Sequence, residues 1–463
     1  MAESSLNSEH AEPCEHTKSV SSFASNGADT GEPGALSSTP ELPSSEEASS
    51  RTDILAPLEQ KNGVYVVFHT LATMVGGLSS VCIKQLLLPI QVSLIAPTNT
   101  TASFTLVASV GAFAGLLAAP LTGALSDRTT LRWGRRRPWI LFGIVATVVG
   151  MLIMAGATTI PTLLFGEILA QVGVDTILST VTALIPDHVP LSQRSLISAL
   201  VGLASNVGGV LGLVLVTRLT NTRIVSEGYT LMTGVSAVCI VLFLLVLRER
   251  PITRETLPPL HGGRFLAGFL HPLTTPDFAY VLISRCCAYL SFTLLGAYLL
   301  FYLRGVLHLS IPAAAEGVTT FQLLSTSVLL VMAISTGILS ERVKRLKPFV
   351  LIGALLMAMG LLLLALLPAW WALLTAAVLF GGGFGLYLGV DIALAIRVLP
   401  SHASSGKDLG ILYTSIFLAL ILSPIIGGAV LQLSQNNFAL LFALAACSSV
   451  ISAVLIVPIK TVQ

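Results

Sequence analysis

The sequence predicts an all-α membrane protein, with twelve transmembrane helices arranged as two pseudo-symmetric six-helix bundles. Three observations carry that prediction. Hydrophobic residues make up 54% of the 463 and charged ones only 10%, with a mean hydropathy of +0.86; a soluble chain would carry about 25% charged residues. Apolar runs long enough to span a bilayer, which takes about 20 residues at 1.5 Å rise each, recur along nearly the whole chain. Short motifs recur in the same order in its two halves. The alternating pattern of an outer-membrane barrel is absent.

Residues 1–60 form a separate region, rich in Ser, Glu, Pro and Gly and poor in aliphatics. Such a segment buries too little apolar area to offset its ordering entropy, so a disordered tail is expected. It has neither the basic start nor the apolar core of a signal peptide. Spans are predicted at 64–96, 101–125, 138–157, 161–185, 195–218, 229–247, 278–303, 316–339, 348–367, 370–397, 410–433 and 437–459. The first is over-long and must tilt or project beyond the hydrocarbon. The longest internal connection, 249–277, divides the spans six and six. It defines an N-terminal bundle at 61–248 and a C-terminal bundle at 278–463.

Charge distribution orients the chain. With both termini in the cytoplasm, 20 of the 25 Lys and Arg residues fall in the tails and the cytoplasmic loops. The positive-inside rule therefore places the N- and C-termini in the cytoplasm of a multi-pass plasma-membrane protein. The densest positive charge, Arg128, Arg132, Arg135, Arg136 and Arg137, lies in the loop between spans 2 and 3.

The repeat is carried by three pairs. GALSDR at 123–128 follows span 2 and GILSER at 337–342 follows span 8. GVD occurs at 173–175 in span 4 and at 389–391 in span 10, which places Asp175 and Asp391 at equivalent positions. VGGVLG at 207–212 resembles IGGAVL at 426–431. Two parallel six-helix repeats are a transporter architecture.

GALSDRTTLRWGRRRP resembles the loop 2–3 signature of the major facilitator superfamily, and GILSERVKRLKP resembles its degenerate second copy. SDRTTLRWGRRRPWI is similar to the sucrose/glycoside–cation symporter branch of that superfamily. The resemblance covers about residues 61–460. It implies the major facilitator fold and a cytoplasmic gate built on Gly123, Asp127, Arg128, Gly134, Arg135, Arg136 and Asp187. In that reading Asp127 pairs with Arg128 and Arg135, beside the N-terminus of span 11 whose dipole favours a carboxylate. Gly123 and Gly134 allow tight packing and a turn. In the second copy Glu341 replaces the usual aspartate beside Arg342, and Gly-Arg-Arg is missing, so that loop should lock less tightly. The alternative is that the arginines only set topology and bind anionic headgroups.

Ionisable residues inside spans cost roughly 2.5–3.5 kcal/mol each and are functional candidates by default. They are Lys84 in span 1, Glu167 and Asp175 in span 4, Arg285 in span 7 and Asp391 in span 10. Spans 1, 4, 7 and 10 are the cavity-lining helices of the superfamily that the motifs resemble. A shared aqueous cleft faced by all five is therefore expected. Glu167, roughly 9 Å inside the outer end of span 4, is the candidate proton carrier. Arg285 suits a carboxylate or a substrate oxygen. Lys84 either joins this site or snorkels to the outer surface. Asp175 and Asp391 either serve the site or bond neighbouring helices. Gln91, Gln171, Tyr289 and Gln322 complete a set compatible with a sugar; the aromatic residue also fits packing alone. His69 reads as a satisfied packing residue.

Several functions are excluded or disfavoured. No Walker A sequence exists; GGGFG at 381–385 lacks the Lys-Ser/Thr ending and reads as helix packing, as do GAFAG (111–115) and GGVLG (208–212). No metal-ligand spacing or catalytic triad appears, so no cofactor, metal or enzymatic activity is expected. Nothing points to nucleic acid. The expectation is a monomeric secondary active transporter in the lipid bilayer. It moves a small polar solute, a sugar or glycoside, by alternating access coupled to protons or another cation. A proton-driven exporter of drugs or metabolites is the alternative. A transporter-like receptor is disfavoured by the charged spans.

Overall fold

The computed structural model describes residues 63–219, 224–247, 249, 276–398 and 405–459. The expected tail at 1–60 lies outside them, as does the connection at 249–277 apart from Glu249 and the helix start at Pro276 and Asp277. Among the described residues, twelve helices are long and apolar enough to cross a membrane. In chain order they are α1 (Gly63–Ile95), α2 (Thr100–Asp127), α3 (Arg137–Ala155), α4 (Ile160–His188), α5 (Leu191–Leu219) and α6 (Ile224–Val246). The second set is α7 (Pro276–Gly305), α8 (Ile311–Val343), α9 (Lys347–Leu366), α10 (Trp370–Arg397), α11 (Ser405–Leu433) and α12 (Phe438–Ile456).

Local chemistry sets where they begin. Thr159, Ser310 and Asn437 are N-caps whose side-chain oxygens accept from backbone N–H groups three residues on. Pro161 and Pro312 sit in the first turns, where no N–H is needed. α8 closes on Lys344 in the left-handed region, at φ 56°. α4, α7 and α8 run past the apolar stretch predicted for them because caps and amphipathic ends add turns that hydropathy does not register. Large apolar side chains such as Phe113, Leu117, Leu121, Val241 and Leu245 remain exposed on the outer surface, as a lipid-facing exterior requires.

The packing repeats with the helix number advanced by six. α1 packs on α5 and α6, α2 on α4, and α3 on α4 and α6. In the same way α7 packs on α11 and α12, α8 on α10, and α9 on α10 and α12. The two bundles meet through α2 with α11, α5 with α8, and α1 with α7. Buried serines mark the register. Ser79 on α1 meets Ser236 on α6 at 3.2 Å, and Ser291 on α7 meets Ser449 on α12 at 2.9 Å.

Glycines mark it more finely. A Cβ on Gly143 of α3 would lie 2.9 Å from the Gly173 carbonyl of α4, and one on Gly353 of α9 would lie 2.6 Å from the Gly383 carbonyl of α10. Gly150 approaches Gly166 as Gly360 approaches Ala376. The structural counterpart of Gly173 is therefore Gly383, not Gly389. This corrects the sequence pairing of the two GVD motifs: Asp175 corresponds to Gly385, and Asp391 to Val181. A three-residue match is short enough to fall one and a half turns out of register, whereas backbone-to-backbone packing is not.

α1 is interrupted. Ile83–Leu87 is a π-helical turn in which the Leu88 N–H bonds the Ile83 carbonyl. Its cause lies two residues after the turn. Pro89 has no N–H, and its ring would clash with the Gln85 carbonyl in a regular α-helix.

Candidate functional site: three polar clusters and a neutral pocket

The structure separates the intramembrane charges into one cluster in each bundle. In the first bundle Glu167, Gln171 and Asp175 stand four residues apart and share one face of α4. Opposite them α2 presents glycines. A Cβ on Gly111 would lie 2.8 Å from Glu167 Cγ, and a Cβ on Gly115 would collide with Asp175 Oδ2. The Gln171 amide donates to Asp175 Oδ2 at 2.7 Å. Glu167 is 1% exposed, and its Oε1 accepts no hydrogen bond among the described residues. Lys84, half-buried on the π-turn of α1, lies within electrostatic reach of both Glu167 and Asp175. Tyr229 on α6 also lies within reach of Glu167, and its buried hydroxyl makes no hydrogen bond among the described residues.

The second bundle fills the same crossing the other way round. There α10 carries the glycines, Gly381 and Gly385, and α8 carries the bulk, Ser325 and Leu329. Its charges sit nearer the end that bears the arginine loop. Arg285 on α7 pairs with Asp391 on α10 at 3.1 Å, both buried. The Tyr387 hydroxyl donates to Asp391, and the Arg285 guanidinium lies 5.7 Å from the centre of the Tyr289 ring. A ladder of rings extends from this pair: Phe384 stacks 6.2 Å from Tyr387 and 4.4 Å from Phe292.

The five charges do not face one cleft in this structure: Glu167 and Asp175 are buried in the first bundle with Lys84 half-buried beside them, and Arg285 and Asp391 are buried in the second. A small pocket between the bundles is lined instead by neutral groups: the polar Gln85 of α1 and Gln322 and Ser325 of α8, among apolar residues of α7, α8 and α10 that include Phe292, Gly296 and Phe380. No charged side chain is among the described residues lining it. Gln91 stands apart from it. Its amide nitrogen donates to the Met154 and Ala157 carbonyls at 2.6 and 3.3 Å, closing the end of α3. Gln85, on the same helix, lines the pocket. The His69 Nε2–H donates to the Val181 carbonyl, 3.0 Å away, as a packed histidine does.

The third cluster lies where α2, α3, α4 and α6 end together. Buried Arg136 bonds Asp127 Oδ1 at 2.7 Å, Asp187 Oδ2 at 3.0 Å and Ser126 Oγ at 2.6 Å. Arg135 also pairs with Asp187. The partner of Asp127 here is Arg136 rather than Arg128 or Arg135, because Arg136 points inward at the start of α3 while Arg128 is exposed. Side chains at the N-terminus of α11 lie outside the described residues.

Sequence reasoning did not single out Glu249. Its carboxylate accepts from the backbone N–H groups of Arg136 and Arg137 at 2.9 and 3.0 Å, at the positive end of α3. Gly134 has φ +108°, and a Cβ there would strike Glu249; this glycine makes the turn. Gly123 does not make a close approach, since Ser179 Oγ at 3.5 Å is ordinary contact. The tight α2–α4 crossing lies at Gly111 and Gly115. In the second copy Glu341 and Arg342 are exposed and enter no ion pair found among the described residues.

At the opposite end the bundles touch. The Pro424 carbonyl of α11 accepts from Thr105 of α2 at 3.1 Å and from Tyr298 of α7 at 2.8 Å. Arg304 donates to Ser93 Oγ at 2.8 Å.

Two six-helix bundles with matched internal packing, meeting around a small uncharged pocket, define a membrane transporter. The family model described as Major Facilitator Superfamily matches residues 70–404 and 281–462, and the chain belongs to that superfamily. Its fold is shared by the nucleoside transporter NupG, at a TM-score of 0.67 with 13% identity over 85% of this chain and 98% of that one. The human organic anion transporter MFSD10 (TETRAN) matches at 0.62, with 17% identity over 85% and 99%. Mouse solute carrier family 45 member 4 is 30% identical over 116 residues, 22% of this chain and 15% of that protein's length. The protein is an integral, multi-pass transporter of a small-molecule substrate in the lipid bilayer, not an enzyme.

Proposed function

We propose that the transporter is a proton-coupled symporter for a neutral polar solute, a sugar or glycoside, working by alternating access between the bundles at 61–248 and 278–463. One observation carries this reading. The pocket between the bundles, closed down to about 10 Å³ in this conformation so that solute entry requires the bundles to part, offers two amides and a hydroxyl from Gln85, Gln322 and Ser325 among apolar and aromatic faces, without charge. Hydroxyl-rich rings are held by such groups, and an anionic solute would need a free cation there. The SDRTTLRWGRRRPWI motif and the short likeness to solute carrier family 45 member 4 support the same branch.

Proton coupling is assigned to Glu167, flanked by Lys84, Asp175 and Tyr229. The arginine loop and both termini face the cytoplasm of the plasma membrane, and the working unit is a monomer. The Pro424 node then seals the outer side, and the described conformation is closed to the outside. Arg285, Tyr289 and Asp391 brace the aromatic wall of the pocket. Asp127, Arg136 and Asp187 hold together the cytoplasmic face of the rocking bundle.

The test uses purified protein in liposomes with labelled sucrose, maltose and an aryl glucoside under an imposed pH gradient. Accumulation of one of them against its gradient, abolished by Glu167→Gln, is expected. Failure of all three to move overturns the sugar assignment. Wild-type pH dependence in Glu167→Gln places the proton site elsewhere.

A further inference from the structure

We propose that the π-helical turn Ile83–Leu87 is the element that couples solute occupancy to the carboxylates of the first bundle. In it Gln85 binds the solute and Lys84 transmits the result. The inference rests on the symport reading above and adds the residues that join its two halves.

Two neighbouring side chains of this turn serve different places. Gln85 lines the pocket between the bundles, with its amide nitrogen only 2.9 Å from where a Cβ on Gly296 of α7 would stand. Its Oε1 is buried and accepts no hydrogen bond among the described residues. A buried carbonyl oxygen without a donor is costly, and a solute hydroxyl would satisfy it. Lys84, one residue earlier, lies within reach of Glu167 and Asp175 on α4. The titratable groups facing Glu167 are Lys84 from α1, Asp175 on α4 itself and Tyr229 from α6, while α2 faces it with Gly111.

A π-turn is an α-helix holding one extra residue, so its loss or migration rotates one flank against the other by about 100°. Through that change Gln85 keeps its place in the pocket, and the flank that carries Lys84 turns relative to the carboxylates of α4. Solute bonded to Gln85 fixes the turn in one register, and release frees it. The Lys84 ammonium then moves relative to two buried carboxylates and alters how firmly they hold a proton.

The turn has a specific cause and no counterpart. The serine pairs Ser79–Ser236 and Ser291–Ser449 set α7 against α1. Allowing for the extra residue of the turn, Leu300 then stands in the place of Pro89, and α7 is continuous α-helix from Pro276 to Gly305.

The experiment compares wild type, Pro89→Ala and Gln85→Leu in liposomes, with labelled sucrose as the probe. Two readings are taken: counterflow exchange at equal pH, which needs no coupling, and accumulation driven by a pH gradient. Pro89→Ala lets the turn relax to α-helix. It should keep counterflow within about twofold and lose accumulation by tenfold or more. Gln85→Leu should weaken sucrose binding about tenfold, the worth of one lost hydrogen bond.

Wild-type accumulation in Pro89→Ala overturns the inference, as does unchanged sucrose affinity in Gln85→Leu. Loss of counterflow together with accumulation in a folded Pro89→Ala also overturns it, since the turn would then serve translocation itself. Pro89→Ser removes the same ring and replaces Pro89→Ala should that variant fail to insert. Should wild-type liposomes move no sucrose, the same readings are taken with maltose and the aryl glucoside, and failure of all three overturns the symport reading first and is distinguished by that result.

Discussion

Arg285 and Asp391 lie 3.1 Å apart between α7 and α10, both side chains buried. Removing one partner leaves a charge uncompensated in a medium without water, at a cost of about 3–5 kcal/mol. Arg285→Met or Asp391→Leu alone should therefore lower thermal stability in detergent sharply, while the double variant Arg285→Met with Asp391→Leu should recover most of it. Melting curves of the three proteins decide this. A double variant as unstable as the singles would mean that the pair is held by more than mutual neutralisation.

Asp187 and Asp127 both accept from Arg136, but their surroundings differ. Asp187 has a side chain 24% exposed and also receives Arg135; Asp127 is 56% exposed and has Arg136 as its ion-pair partner. Exposed pairs contribute about 0–1 kcal/mol. Asp187→Asn should consequently destabilise the protein more than Asp127→Asn does, and Asp127→Ala should impair transport with normal membrane insertion. Equal melting temperatures for the two Asn variants would contradict the ranking, and wild-type uptake by Asp127→Ala would remove the loop's gating role.

Gly134→Ala combines two penalties. Its φ of +108° is one that a side chain disfavours, and the added Cβ would meet the Glu249 carboxylate. The strain alone is of order 1–3 kcal/mol. Expression and melting temperature should both fall. A Glu249→Ala background should relieve the steric part and leave the conformational part, so the double variant should melt between Gly134→Ala and wild type.

Much of this was legible in the residues because bilayer physics is a strong filter. A span must be long and apolar, and its charges must be few. The twelve helices and the short charge list follow from that. What residues next to one another in sequence could not show was which side chains face each other. Asp175 and Asp391 share a motif, yet Gly173 packs as Gly383 does, which moves Asp391 one and a half turns away. Gln91 has the chemistry of a sugar ligand but closes the end of α3. Glu249 lies just past α6, where composition marks only a connection. Pro89 was the available signal for the π-turn, since a proline inside a long apolar helix disturbs the turn before it.

The α2–α4 crossing gives a contrast within one molecule. Gly115 on α2 faces Asp175 and Gln171, whereas at the matching place in the second bundle Gly385 on α10 faces Leu329 of α8. Gly115→Ala should separate Gln171 from Asp175, whose hydrogen bond is 2.7 Å long, and alter pH-driven transport. Gly385→Ala, with only apolar atoms and backbone to displace, should cost stability and leave the pH profile of the remaining activity in place. Matching pH profiles in the two variants would show that the polar stripe of α4 has no part in coupling.

Gly428 of α11 lies against Thr105 of α2 where the two bundles meet, and a Cβ there would collide with the threonine hydroxyl. That hydroxyl bonds the Pro424 carbonyl at 3.1 Å, the same oxygen that accepts from Tyr298. One added methyl therefore opposes closure of this end without touching the pocket or either charge cluster. Gly428→Ala should shift the population toward the conformation open at the Pro424 end. In Gly428→Ala/Thr105→Ala the hydroxyl that the added methyl strikes is gone, so part of the shift should return. A single cysteine in place of Ser93, beside Arg304 at the same end, reports the change as its labelling rate by a membrane-impermeant maleimide. Faster labelling in Gly428→Ala than in the Gly428 parent is expected, and solute that favours the closed state should slow it again. Identical labelling rates in the two would mean that α2 and α11 separate elsewhere and that this contact does not limit opening.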